Sequence, residues 1–178
     1  EGGWVNEDSC LSEDDPRATA MIQAEQLMLQ SMQHASVIRF AGIYGGAGGR
    51  LLDRIRRGEL NPEKPVRYSN RIHREDCAGF LYHLIERVES GRSIEPVYNG
   101  VDAQPAPQWE VDRWLAEQMG VKSEGLDKHT DPGQRTGTGS PPGHKRCSNR
   151  LLIDSGYKLK YADYRAGYAA ALTVKARE

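Results

Sequence analysis

Basic side chains crowd the centre of this chain: Arg50, Arg54, Arg56, Arg57, Lys64, Arg67, Arg71 and Arg74. A guanidinium offers a planar fork of donors that grips a phosphate or carboxylate through paired hydrogen bonds. Just before them lies Gly45-Gly46-Ala47-Gly48-Gly49. No start within that cluster satisfies G-x-G-x-x-G, and the lysine of a Walker loop is absent, so it reads as a flexible connection. Arg50 follows directly and is placed to reach an anionic ligand. Arg54, Arg56 and Arg57 fit a solvated helix face. His73 and His83 lack metal-ligand spacing, and Cys10, Cys77 and Cys147 form no C-x-x-C pair, so no metal site is expected. Asp76 heads a helical pattern and is expected to cap it, accepting the free N–H groups of the first turn. His73, beside it, is expected to be a hydrogen-bonded structural residue.

The elements that must hold these groups can be read from periodicity. Residues 1–15 are polar and acidic and read as a loop. Asp15 is a candidate N-cap and Pro16 suits the first helical position, where its missing N–H costs nothing. Ala18, Met21, Ile22, Ala24, Met28, Leu29 and Met32 then give one apolar face through to about residue 33. Ser36 to Phe40 is a short apolar run with β-branched residues, the pattern of a buried parallel strand. A basic helix over 49–57 ends at Gly58, and 66–68 forms a small strand. Residues 76–89 form a helix with Phe80, Leu81, Leu84, Ile85 and Val88 on its buried face. A second short strand at 96–99 and a helix at 107–119, carrying Trp109 and Trp114, follow. Residues 122–144 hold five glycines and three prolines without apolar periodicity and read as a long mobile loop. Helices at 149–155 and 164–172 close the chain. Strands separated by helices indicate an α/β fold, yet three strands make a poor sheet, so further strands are expected upstream.

Composition narrows the function classes. The chain has 178 residues, 38% of them hydrophobic and 28% charged, which suits one globular domain. A formal net charge of -1 argues against a dedicated nucleic-acid binder. No apolar run approaches the roughly 20 residues needed to span a bilayer, and no basic-then-apolar leader is present. Three scattered cysteines suggest reduced thiols and a cytoplasmic protein. The opening Glu1-Gly2-Gly3 reads as mid-loop, so a cropped domain spanning 1–178 is expected.

Several segments, taken in order, resemble one family. Arg39-Phe40-Ala41-Gly42-Ile43-Tyr44-Gly45-Gly46 is similar to an "L-R-x-x-x-x-Y-G-P" segment, and Ile72-His73-Arg74-Glu75-Asp76-Cys77-Ala78 to "I-H-V-x-D-x-A". Val97-Tyr98-Asn99-Gly100 is similar to "Y-N-[IV]-G". Lys145 to Tyr157 and Tyr161 to Gly167 resemble the segments that close these proteins. The family is the extended short-chain dehydrogenases/reductases, the NAD-dependent epimerase/dehydratase group. The resemblance implies the C-terminal part of a Rossmann-like NAD(P)-binding fold plus its small substrate-side subdomain, with the N-terminal dinucleotide-binding strands absent. It places Phe40, Ala41 and Gly42 on the nicotinamide side of NAD or NADP. A site at the carboxyl end of a parallel strand agrees with how open α/β sheets bind ligands.

The same resemblance implies a small-molecule substrate, in many members a nucleotide sugar, whose diphosphate arginines would clamp. Arg50, Arg67 and Arg71 are the candidate substrate-binding residues. The family's phosphate arginine falls at Ser69 here, which puts that role in question. Standard members carry Tyr-x-x-x-Lys, in which the ammonium lowers the tyrosine pKa and holds the ribose. Aligned on Glu25, those positions are Arg17 and Met21, and none of the eight tyrosines has a lysine four residues later. No catalytic residue is therefore assigned. Two functions stay open: an epimerase/dehydratase-like oxidoreductase, or a non-catalytic NAD(P)-binding sensor or scaffold. The isolated chain is expected to bind NAD(P) weakly or not at all, and the full-length protein to form a homodimer.

Overall fold

The computed structural model describes residues 2–13, 16–32, 34–46, 48–121 and 144–175. Its central feature is two short parallel ladders joined end to end. Strand β2 (Val37–Phe40) pairs in parallel with β6 (Val97–Gly100), placing Phe40 opposite Gly100. Strand β3 (Gly42–Tyr44) pairs in parallel with β5 (Arg71–His73). The amides of Ala41 and Gly42 donate to Gly100 O and Asn70 O, at 3.1 and 3.3 Å, and stitch one ladder to the next. A parallel pair β1 (Trp4–Val5) with β8 (Arg146–Cys147), and an antiparallel pair β4 (Tyr68–Ser69) with β7 (Ala106–Pro107), flank them. Strand β3 and the β1–β8 ladder are corrections to the sequence reading, which held 1–15 to be a loop. Ladders of two or three residues leave no periodicity to detect.

Helices cover this frame: α1 (Pro16–Ser31), α2 (Arg50–Arg56), α3 (Arg74–Glu89), α4 (Gln108–Gln118), α5 (Arg150–Asp154) and α6 (Tyr164–Lys175). Two apolar cores result. One gathers Leu52 and Ile55 of α2, Val111 and Leu115 of α4, and Tyr164 and Tyr168 of α6. The other packs Ile72, Phe80, Leu84, Tyr98 and Leu152 between α3, α5 and the strands. Fully burying each such side chain stabilises by about 1.5–3 kcal/mol.

Gly100 shows how tightly the strand ends pack. A Cβ there would overlap the Phe40 ring and lie 3.2 Å from the Ile38 side chain. Gly100→Ala is therefore expected to cost about 1–3 kcal/mol, the usual range for overpacking a filled site. A urea midpoint equal to wild type would contradict this packing.

The expected apolar face of α1 is only partly buried. Ala18, Ile22, Glu25 and Leu29 form a half-buried stripe at helical spacing. Glu25 there accepts a fork from Arg39 of β2, with Nε at 3.0 Å and Nη2 at 2.6 Å from Oε2. Met21, Leu27, Met28 and Met32 remain exposed, contrary to the sequence reading for the three methionines. An amphipathic pattern states what a helix can bury; a neighbour must be present for burial to follow. Helix α3 repeats the lesson, since Leu81, Ile85 and Val88 are exposed while Phe80 and Leu84 are buried.

Candidate functional site

The carboxyl end of β3, with Arg74 directly after β5, opens on a cleft of about 400 Å³. It is bounded by Tyr44 at the end of β3, Tyr168 of α6, Gly45, Gly46, Gly48 and Gly49, Arg50 and Arg74. Tyr44 is fixed from three sides. Its ring stacks on Tyr168 at 4.5 Å, meets His73 edge-on at 5.2 Å, and its hydroxyl donates to Asp163 O at 3.1 Å. Gly45 takes φ 128°, a conformation open to glycine, and a Cβ there would strike the His73 imidazole. The turn can therefore run close beneath the histidine, and it leads to Gly49, with φ 122°, at the head of α2.

Burial, followed by the charge of Asp102, pushes the Tyr44 phenol well above its ordinary range. At neutral pH it is a hydrogen-bond donor and no proton acceptor. Burial likewise lowers the His73 imidazole, partly offset by the neighbouring Glu75 and Asp76. His73 is the N-cap of α3, its Nδ1 accepting from Glu75 N at 3.2 Å. Asp76 is accordingly not the cap, which corrects the expectation. Its carboxylate is fully buried and turns toward the chain beyond α5, accepting from Lys160 N at 2.7 Å, Tyr161 N at 3.0 Å and Tyr157 Oη at 3.1 Å.

The three candidate arginines are not brought to one place. Arg50 borders the cleft. Arg67 lines a separate small hollow with Asn61, Pro65 and Trp109. Arg71 is buried, only 8% exposed, with Nη2 donating to Ser69 Oγ at 2.6 Å and its guanidinium 5.7 Å over the Tyr164 ring. Its Nη1 has no hydrogen-bond partner, and neither have Asp102 Oδ2 and Asn99 Nδ2 nearby in the fold. Arg54 does not lie on a solvated face. Its Nη2 grips both oxygens of the buried Asp112 at 2.7 and 2.8 Å. Sequence reasoning missed Tyr168 and Arg74 as residues of this cleft. Arg50 was named from the sequence, and Tyr44 stood within a quoted motif.

Phe40, Ala41 and Gly42 occupy the join between the two ladders, where Gly42 is exposed and Ala41 half-exposed. The dinucleotide's phosphates find no glycine fingerprint within the 178 residues. Among the described residues, no three His, Cys, Asp or Glu side chains gather as a metal site. No helix among them is long and apolar enough to cross a membrane. The expected loop at 122–144 lies outside the described residues except for His144, and the Asp15 cap lies outside them too.

No protein-family model matches the sequence, and no curated protein does. Solved structures do. A protein of Methylobacillus flagellatus assigned as an NAD-dependent epimerase/dehydratase is 33% identical, with a TM-score of 0.78 over 100% of this chain and 60% of its own. A conserved protein of unknown function from Silicibacter pomeroyi DSS is 26% identical, with a TM-score of 0.72 over 97% and 61%. MoeE5, determined with UDP-glucuronic acid and NAD, shares the fold at 19% identity and a TM-score of 0.69, over 98% and 60%. Others of these structures contain NADPH. The chain thus spans about 60% of the length of the structures it matches. In fold and in the order of its motifs, the chain is similar to the C-terminal part of the NAD-dependent epimerase/dehydratase proteins.

Proposed function

We propose that this chain forms the substrate-side part of an NAD(P)-dependent epimerase/dehydratase-like oxidoreductase whose substrate is a nucleotide sugar or a related phosphorylated small molecule. The observation that carries this reading is the cleft at the carboxyl end of β3, where Arg50 and Arg74 flank stacked Tyr44 and Tyr168. Its volume suits a small ligand, and two guanidiniums beside aromatic rings suit one that combines phosphate with a ring. Phe40, Ala41 and Gly42 would line the nicotinamide, which supplies hydride exchange when bound. Arg67, in its own hollow, falls outside the proposed cleft. Arg71 would act from behind the ligand, as a buried charge without a full set of partners. Free thiols fit a reducing cytoplasm.

Calorimetric titration of the chain with UDP-glucose tests this. Saturable binding is expected, weakened roughly 10-fold by Arg50→Ala, as suits the loss of one charge-assisted contact. Absence of binding, or equal binding by the variant, would remove the cleft from consideration. A second reading, a non-catalytic dinucleotide sensor, is favoured by α1. The Arg39–Glu25 pair fixes that helix on β2, and Met21, at the place of the family's lysine, is 67% exposed. Turnover of NAD(P)H with a sugar nucleotide by the full-length protein would eliminate the sensor.

A further inference from the structure

A second group of aromatic and cationic side chains lies outside the cleft, on the β1–β8 ladder. Trp4 is paired in register with Arg146, whose guanidinium lies over its indole at 5.2 Å. The same guanidinium lies over the Tyr68 ring at 4.9 Å, and Tyr68 stacks on His144 at 5.6 Å. Trp4 remains 60% exposed, so the indole spends little of its surface on its own fold.

The backbone holds this stack rigidly. Arg146 N donates to Gly3 O at 2.9 Å, Ser148 N to Val5 O at 2.8 Å and Gly2 N to His144 O at 3.2 Å. Arg146 Nε adds a bond to Gly2 O at 2.7 Å. Asn70 braces the far side, its Oδ1 accepting from Cys147 N at 2.7 Å and its Nδ2 donating to Lys145 O at 3.1 Å. Asn70 O in turn accepts from Gly42 N, so a single residue links the ladder to the exposed strand end at Gly42. Among the described residues Arg146 forms no ion pair, although it is half-buried. Its guanidinium meets a carbonyl and two ring faces among the described residues.

We infer that Trp4 and Arg146 form a stacking platform for the flat heteroaromatic ring of a phosphate-bearing nucleotide. An exposed, fixed indole gives the ring a face on which to stack, and little freedom is lost when it does. The guanidinium beneath, without an ion pair among the described residues, draws the negative charge that such a ring carries with it. Either a nicotinamide mononucleotide moiety or a purine or pyrimidine nucleotide has this chemistry. The platform stands on its own geometry and does not require Arg50 or the cleft.

Tryptophan fluorescence of the chain, excited at the red edge, should fall saturably on addition of nicotinamide mononucleotide, AMP or UMP, and not with inorganic pyrophosphate. Quenching by nicotinamide mononucleotide alone assigns the platform to the cofactor's ring; quenching by AMP and UMP assigns it to a base. Trp4→Ala should abolish the change. Trp4→Phe, followed by NMR titration, should weaken binding about 10-fold or less, since a smaller ring remains. Arg50→Ala should leave the quenching intact, which separates this site from the proposed substrate cleft. No saturable quenching by any of the three, or binding to Trp4→Ala as to wild type, would overturn the inference.

Discussion

Replacing Asp76 by alanine is expected to destabilise the protein by about 3–5 kcal/mol, a large part of a typical domain's total stability. The carboxylate is fully buried and accepts from two backbone amides, Lys160 N and Tyr161 N, and from the Tyr157 hydroxyl. Alanine would leave those half-buried donors without the carboxylate they face, at roughly 1–3 kcal/mol for each group that water does not re-satisfy. It would also remove a negative charge from the first turn of α3, about 0.3–1 kcal/mol more. Asp76→Asn keeps the shape and one accepting oxygen, so about half the loss is expected. Urea denaturation of the three proteins measures this directly. A loss below about 1 kcal/mol for the alanine variant would show that the 157–161 segment is held by other means.

The contribution of Asp102 to stability should fall as pH rises from about 4 to about 7, against an opposite trend from His73, whose imidazole pKa is lowered by burial. The Asp102 side chain is 2% exposed, and burial raises its carboxyl from an ordinary value of 3.8 to about 7. Gln104 N, donating to Oδ1 at 3.1 Å, and the Arg71 charge work against that rise; Asp163 and Asp76 work with it. In the unfolded chain the carboxyl loses its proton near 3.8, while the folded protein keeps it until about 7. Between those values the folded state binds more protons, so this group's stabilising contribution is complete below the lower one and lost by the upper. The slope is at most about 1.4 kcal/mol per pH unit, and the total is on the order of 2–4 kcal/mol. Asp102→Asn cannot titrate and should flatten the profile across this window. Equal slopes for wild type and variant, from denaturant midpoints at pH 4, 5.5 and 7.5, would assign the dependence elsewhere.

Local pattern and long-range packing can be separated residue by residue. Helix α1 starts at Pro16 and α4 covers most of 107–119, as proline chemistry and apolar spacing predict. The α3 cap was misplaced because an aspartate and a histidine at a helix start both offer acceptors. Only the position of Lys160 and Tyr161 draws the aspartate away. Arg54 could not be told from Arg56 and Arg57 by spacing, since its partner Asp112 arrives from another helix. The β1–β8 ladder joins residues at opposite ends of the chain through two residue pairs, too few for any periodic signal.

The sequence alone determined the helices and the strands at 37–40 and 97–100, the order of the family motifs and the absence of a Tyr-x-x-x-Lys pair, because these depend on neighbours a few residues apart. Tertiary structure decided which side of α1 and α3 is covered, which arginine is buried, which borders a cleft and which grips an aspartate. It also placed Trp4 on Arg146 and Tyr44 on Tyr168. Burial and charge pairing depend on what the rest of the fold brings within a few ångströms, and residue type fixes only what each side chain can do once it is there.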